Sequence, residues 1–399
     1  MREDWEIKQL ETVCKFQNGF AFKSSTFKAD GTAVIRITNI QNGVIDLKKV
    51  VYIDRNDYNR NLTKYEIVRG DLLIAMSGAT TGKIGIHKSD GVVLLNQRVG
   101  KFEPLKNLDK SYLFYFLSTK VEESLAISAG SAQPNLSTEQ IKSFPIPIPL
   151  LEEQKQIVEI LDKAFSLIEQ AKAHIEQNRI NAKELFQSKL NAIFSQKGAG
   201  WEEKKMDEVC EIASKLVNPK ETEYQKLLHV GGGNIVTETG ELIKLKTCKE
   251  EGLKSGKFAF DIEVVLYNKI RPYLVKVVRP NFSGLCSADM YPLTPNKKEI
   301  TRDFLYFLLV SKDFTNYAIS GSERAGMPKV NRKHLFEYTF SLPTIKTQIS
   351  IIKDLEILRV NSQNLDKEYR KKLINLEELK RAILKKAFLG GLTQNEFVV

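Results

Sequence analysis

The chain has 399 residues, with 60 Lys+Arg against 49 Asp+Glu, a formal net charge of +11, and 42% hydrophobic residues. At roughly 100–200 residues per domain there is room for two or three domains, and the apolar content excludes wholesale disorder. No run approaches the ~18 apolar residues of a membrane span. Met1–Trp5 begins no apolar signal-peptide core. Cys14, Cys210, Cys248 and Cys286 lie far apart without a C-x-x-C, so neither a zinc site nor a disulfide framework is expected. The expectation is a soluble protein of a reducing compartment, whose basic balance favours a polyanionic partner.

Taken in chain order, the elements occur twice. Trp5–Cys14 returns as Trp201–Cys210, Tyr112–Leu117 as Phe304–Leu309, and Pro134, Pro149 and Gln154 as Pro328, Pro343 and Gln348, at offsets of 192 to 196 residues. Each copy begins with a globular part, 1–150 and 198–343, and both halves of the chain are net basic. Short β-rich runs such as Ala33–Ile37 and Val264–Tyr267 alternate with Gly, Asn and Asp clusters. One amphipathic helix is expected around Tyr112–Ser128, and its equivalent around Phe304–Ile319. Phe144–Pro149 alternates with proline and must be extended, because proline fixes φ and restricts its predecessor.

A long helix then follows each globular part, over 151–197 and 344–392. Ile157, Leu161, Ala164, Ile168, Ala171, Ile175, Asn178, Ala182 and Leu185 alternate spacings of four and three, and so do Ile351, Leu355, Leu358, Ser362, Leu365, Tyr369, Lys372, Leu376, Leu379 and Ile383. Such spacing over four heptads predicts a coiled-coil seam. A helix from Glu152 to Phe194 would span on the order of 65 Å. The fold class is therefore α+β: two tandem globular domains joined by two long helices that form an antiparallel coiled coil with pseudo-two-fold symmetry.

Catalytic motifs are missing. Gly78–Lys83 resembles a phosphate loop but has three residues between its glycines and Ile84 after the lysine. Gly231–Gly233 reads as a loop needing positive φ. His87, His174, His229 and His334 have no nucleophile or second ligand at useful spacing. What remains are polar, basic loops. In the first copy they carry Lys23, Ser24, Arg36, Asn39, Ser77, Thr80, Thr81, Lys83, Gln97, Arg98 and Gln133; in the second they carry Asn268, Lys269, Arg271, Arg324 and Lys329. Arg, Asn, Gln and Lys suit base edges, while Ser, Thr and Lys suit phosphates.

The duplicated globular part, the Gly70-Asp71-Leu72-Leu73-Ile74…Ser77-Gly78-Ala79…Gly82 segment, the entry Pro149–Gln154 and the heptad helix closing each half resemble the DNA-specificity subunit of a Type I restriction-modification system. The second copy departs from that pattern, with Asp261–Arg271 in place of the glycine-rich segment. The resemblance implies a non-catalytic subunit, cytoplasmic in a bacterium or archaeon, that binds a split, asymmetric double-stranded DNA target with one domain on each half. It implies that the paired helices dock two modification (methyltransferase) subunits, with restriction subunits added. S-adenosylmethionine, ATP and magnesium then belong to those partners, and this chain holds no cofactor or metal. A self-sufficient methyltransferase or nuclease lacks its motif here. A coiled-coil scaffold joining two protein-binding domains is the remaining alternative.

Overall fold

A computed structural model of the chain describes residues 2, 4–128, 135–196, 198, 200–212, 215–322 and 328–393. It divides into two compact units, Met1–Ile175 with Lys371–Val399, and Glu176–Arg370. The cut falls within both long helices, Leu151–Phe194 and Ile345–Phe388, each of 44 residues.

In the first unit a six-stranded sheet runs in the order Cys14–Asn18, Val99–Pro104, Leu72–Ala75, Ile84–Ile86, Gly43–Ile45 and Ile40–Gln41. A four-stranded sheet runs Val51–Ile53, Thr32–Ile35, Val93–Leu95, Glu66–Ile67. The shared strand Leu72–Ala75 is buried on both faces, with Leu73 and Ala75 in one core and Leu72 and Ile74 in the other. The proline segment is extended as expected. Pro145–Ile148 pairs antiparallel with Glu6–Gln9 in a two-stranded sheet, an edge position that proline tolerates.

The second unit repeats the plan. Its four-stranded sheet runs Cys210–Glu211, Met290–Pro295, Val265–Asn268 and Val277–Val278, beside a five-stranded sheet. Thr339–Leu342 pairs with Glu202–Lys205 where the first unit has its proline strand.

The helix expected over Tyr112–Ser128 is two, Lys110–Thr119 and Val121–Ser128, and its counterpart is Arg302–Val310 and Lys312–Ser320. Ser311 ends the first of the latter pair because it takes an extended conformation and its hydroxyl accepts from Phe314 N, capping the next helix. In the first unit Ser118 and Thr119 turn their hydroxyls back onto the carbonyls of Phe114 and Phe116, which competes with helix propagation.

Gln154 and Gln348 explain why the Pro…Gln spacing recurs. Each is fully buried. Gln154 Nε2 donates to Asn107 O and Pro149 O, both at 2.9 Å, while its Oε1 accepts from Asp109 N at 2.8 Å. Gln348 makes the same three bonds with Glu299 O, Pro343 O and Thr301 N. One amide thus joins the start of a long helix to the N-terminus of the short helix preceding it in the fold.

Within each unit the helix segments run antiparallel. In the first, Lys172 bonds Glu377 and Glu169 pairs with Lys380 at 3.4 Å; in the second, Arg179 bonds Asp366 at 2.9 Å and Ser362 Oγ donates to Ala182 O at 3.2 Å. Ile157, Leu161 and Ile168 are buried, and Ile175 is half-buried; Leu355 is buried, while Ile351, Tyr369 and Ile383 are half-buried. Three seam positions are corrected: Leu185 is 63% exposed, Leu379 47% and Leu365 43%. A helix of 3.6 residues per turn drifts ~20° per heptad against a 3.5 repeat, so the inward stripe has rotated by the last turns. There Phe186, Leu190, Ile193 and Phe194 close the core of the second unit, and Leu384, Ala387 and Phe388 close that of the first.

Two buried histidines make stability pH-dependent. Burial holds the pKa of His87 and His229 below the ordinary 6.5; the carboxylate of Glu251, 2.7 Å from His229 Nδ1, opposes this only in part. The folded state therefore favours neutral imidazole, and below pH 6.5 the unfolded chain binds more protons. Stability is complete above about 6.5 and falls as pH drops toward the folded pKa values. Urea midpoints should decline from pH 7.5 to 5, less steeply in His87→Gln; a midpoint that rises on acidification would contradict this.

Candidate nucleic-acid interface

In the first unit Leu72–Ala75 and Ile84–Ile86 form an antiparallel hairpin. Ala75 N donates to Lys83 O at 2.8 Å and Gly82 N to Ala75 O at 2.9 Å, closing a loop over residues 76–82. Gly78–Thr80 make a 3-10 turn in it, bracketed by Gly78 and Gly82 at φ 73° and 80°. Both are left-handed, and a side chain at Gly82 would also meet Ser124, whose Cβ would lie 2.7 Å from the added carbon. Backbone bonds tie distant segments to this loop: Met76 N donates to Arg98 O at 2.9 Å, and Leu136 N to Met76 O at 2.7 Å. Asn96 N donates to Ile35 O, and Gln97 N to Phe20 O, which attaches the segments that carry Arg36 and Lys23.

On these segments Lys23, Ser24, Lys83, Gln97 and Arg98 are exposed, so their polar groups are free to meet a partner. Arg36 is half-buried, with its guanidinium 5.9 Å from the Phe27 ring centre. The buried Asn39 and Thr81 are committed to the loops themselves. Asn39 Oδ1 accepts from Arg36 N while Nδ2 donates to Asp46 O and Lys49 O; Thr81 Oγ1 donates to Gly78 O at 2.7 Å. Both were expected to face DNA and instead shape the turns that present other groups. Ser77 is also buried, contrary to expectation, because its backbone bridges Asn135 in the sheet.

Ser77 Oγ, Thr80 Oγ1 and Arg36 Nε find no hydrogen-bond partner among the described residues. Such groups cost about 1–3 kcal/mol each when left unpaired. The turns that carry them touch, with the modelless space beside Gly78 bounded by Ile37 Cδ1 at 3.3 Å from an added Cβ. Gln133 lies outside the described residues, as does Arg324.

The second unit builds the same loop from other residues. Asn268 N donates to Lys276 O at 3.0 Å, Lys269 N to Asp289 O at 3.1 Å and Val330 N to Lys269 O at 2.9 Å. These match the bonds of Ala75, Met76 and Leu136. The 3-10 turn is Pro272–Leu274. At the places of Gly78 and Gly82 stand Arg271 and Val275, with φ 53° and 46°. Arg271 and Lys329 are exposed. Asn268 is buried and donates to Ile270 O, so it too is corrected from a reading residue to a loop support. Lys269 is likewise buried: Nζ donates to Ala288 O and lies 5.1 Å from the Tyr291 ring centre. Burial, then the neighbouring Lys329, lowers its pKa. The triplet Gly231–Gly233 has no positive φ; an added Cβ on Gly232 would lie 3.2 Å from Asn268 Nδ2, so close approach rather than handedness suits glycine there.

Sequence reasoning missed Tyr273, exposed on the second turn, and Lys276, which occupies the place of Lys83. The glycines that mark this turn in the first copy are absent from the second, which hid the match. Burial pushes the thiols of Cys14, Cys210 and Cys286 up to about 12, which keeps them protonated and weakly nucleophilic.

No described helix is long and apolar enough to cross a membrane. The chain is 28% identical to the Type I restriction enzyme EcoDI specificity subunit of Escherichia coli over 348 residues, 79% of this chain and 77% of that one. Its fold matches a chain from a structure addressing complex assembly and conformational transition of the type I R-M system, with a TM-score of 0.74, 18% identity and coverage of 98% and 99%. It also matches the HsdS subunit from Thermoanaerobacter tengcongensis, with a TM-score of 0.58, 18% identity and 98% of both chains covered. The family model of the Type I restriction modification DNA specificity domain matches twice, over residues 2–177 and 198–374. The chain is a Type I restriction-modification specificity subunit, a member of that DNA specificity domain family with two copies of the domain.

Proposed function

We propose that this chain binds a bipartite, asymmetric double-stranded DNA sequence, each globular part reading one half-site, and recruits adenine methyltransferase and restriction subunits without catalysing either reaction. The observation that carries the reading is one loop scaffold built twice with different side chains: Lys83, Gln97 and Arg98 stand exposed in the first unit, Arg271 and Lys329 in the second. Shared backbone with divergent side chains suits two domains that approach DNA alike and read different bases. Leu185, Leu365 and Leu379, left exposed on the long helices, offer apolar surface for the methyltransferase subunits. S-adenosylmethionine, ATP and magnesium act on the partner subunits, in the cytoplasm.

The purified chain, given labelled S-adenosylmethionine and double-stranded DNA, is expected to transfer no methyl groups, and to confer sequence-dependent methylation when the modification subunit is added. Methyl transfer by the chain alone would overturn the reading. Capture of a protein ligand with no DNA preference would favour the scaffold alternative.

A further inference from the structure

We infer that Tyr273 is a specificity-determining residue of the second unit, its ring packing on a base edge of the half-site read there; the inference rests on the DNA-binding function proposed above. Tyr273 is 50% exposed at the centre of the turn Pro272–Leu274. Its neighbours hold the turn from beneath. Pro272 is buried, Val275 packs on the core, and Arg271 N donates to Pro328 O at 2.8 Å. The carbonyl of Pro272 accepts from Val275 N and that of Arg271 from Leu274 N, both at 2.9 Å. An aromatic ring carried on so fixed a backbone loses little freedom on contact.

The backbone is held against its own preference. Arg271 and Val275 are both left-handed, a conformation that non-glycine residues avoid and that a β-branched residue adopts rarely. The first unit makes the same turn with Gly78 and Gly82 and so avoids the strain. Where the second unit presents Pro272-Tyr273, the first presents Ala79-Thr80, without a ring. Strain retained around an exposed aromatic, beside the exposed Arg271 and Lys329, points to a placement that serves recognition. The two half-sites therefore differ in kind: one is met at this turn by an aromatic ring, the other by small side chains.

The test is selection from a library of random double-stranded DNA by the full-length chain, followed by sequencing of the bound pool. The wild-type chain should enrich a two-part motif; failure to enrich one would sink the proposed function itself. Tyr273→Ala should lose preference at one or two positions of a single half-site, with affinity for the selected site reduced about tenfold or more and binding to random DNA unchanged. Tyr273→Phe keeps the ring and should retain the wild-type motif. A Tyr273→Ala pool identical to wild type would overturn the inference, and so would an equal loss on random DNA. Loss of the motif in both Tyr273→Ala and Tyr273→Phe would overturn ring packing as its basis. Thermal unfolding of Tyr273→Ala should match wild type, as expected for a half-exposed side chain; a large fall would mark the residue as structural and also overturn the assignment.

Discussion

Replacing Gln154 by alanine is expected to destabilise the first unit by about 3–5 kcal/mol, although Gln154 is neither apolar nor near the exposed loops. Its amide satisfies the carbonyls of Asn107 and Pro149 and the amide of Asp109 in a site without solvent access. Each buried group left unpaired costs about 1–3 kcal/mol, and three that share one partner add less than fully. Gln154→Glu should fare no better, since an ionised carboxylate can accept from Asp109 N but cannot donate to two carbonyls. Gln348→Ala should produce the same loss in the second unit through Glu299, Pro343 and Thr301. Urea unfolding of the full chain, followed by hydrogen exchange assigned to each unit, measures both. Losses under 1 kcal/mol would show that these groups find other partners.

Phe388→Ala is expected to destabilise the first unit by about 3–5 kcal/mol, the range for truncating a buried phenylalanine. Its ring centre lies 5.1 Å from that of Tyr112 and 5.6 Å from that of Phe116, so the end of the second long helix completes a core whose strands all precede residue 150. Hydrogen exchange should accelerate in Lys110–Thr119 and in the strand Val99–Pro104, with the second unit unaffected. Uniform acceleration across both units, or none, would contradict this account of the core.

The repeat was legible because chemistry fixed its markers. Pro149 with Gln154 and Pro343 with Gln348 survive at the same spacing since each glutamine closes a network that no other side chain closes. The proline strand was legible because φ leaves it no alternative. The reading surface was less so. Asn39, Thr81 and Asn268 have the same composition as residues that contact DNA, and only their hydrogen bonds reveal that they support the loops. Leu185 and Leu379 satisfy the heptad spacing, yet helix drift carries them outward and brings Leu190 and Leu384 inward. The turn holding Tyr273 escaped notice because left-handed geometry was sought in glycines, while Arg271 and Val275 adopt it here.

The central claim is that each globular part reads its own half of a split DNA sequence. It is tested most directly by selecting bound DNA from a random double-stranded library with the full chain and with two variants, Arg98→Ala and Arg271→Ala. Both arginines are exposed on equivalent loops of different units. Each variant should lose base preference in one half of the motif, a different half for each, at about 1–3 kcal/mol for a lost base contact, while the other half stays as in the wild type. Loss of preference in both halves from either single substitution would contradict the account.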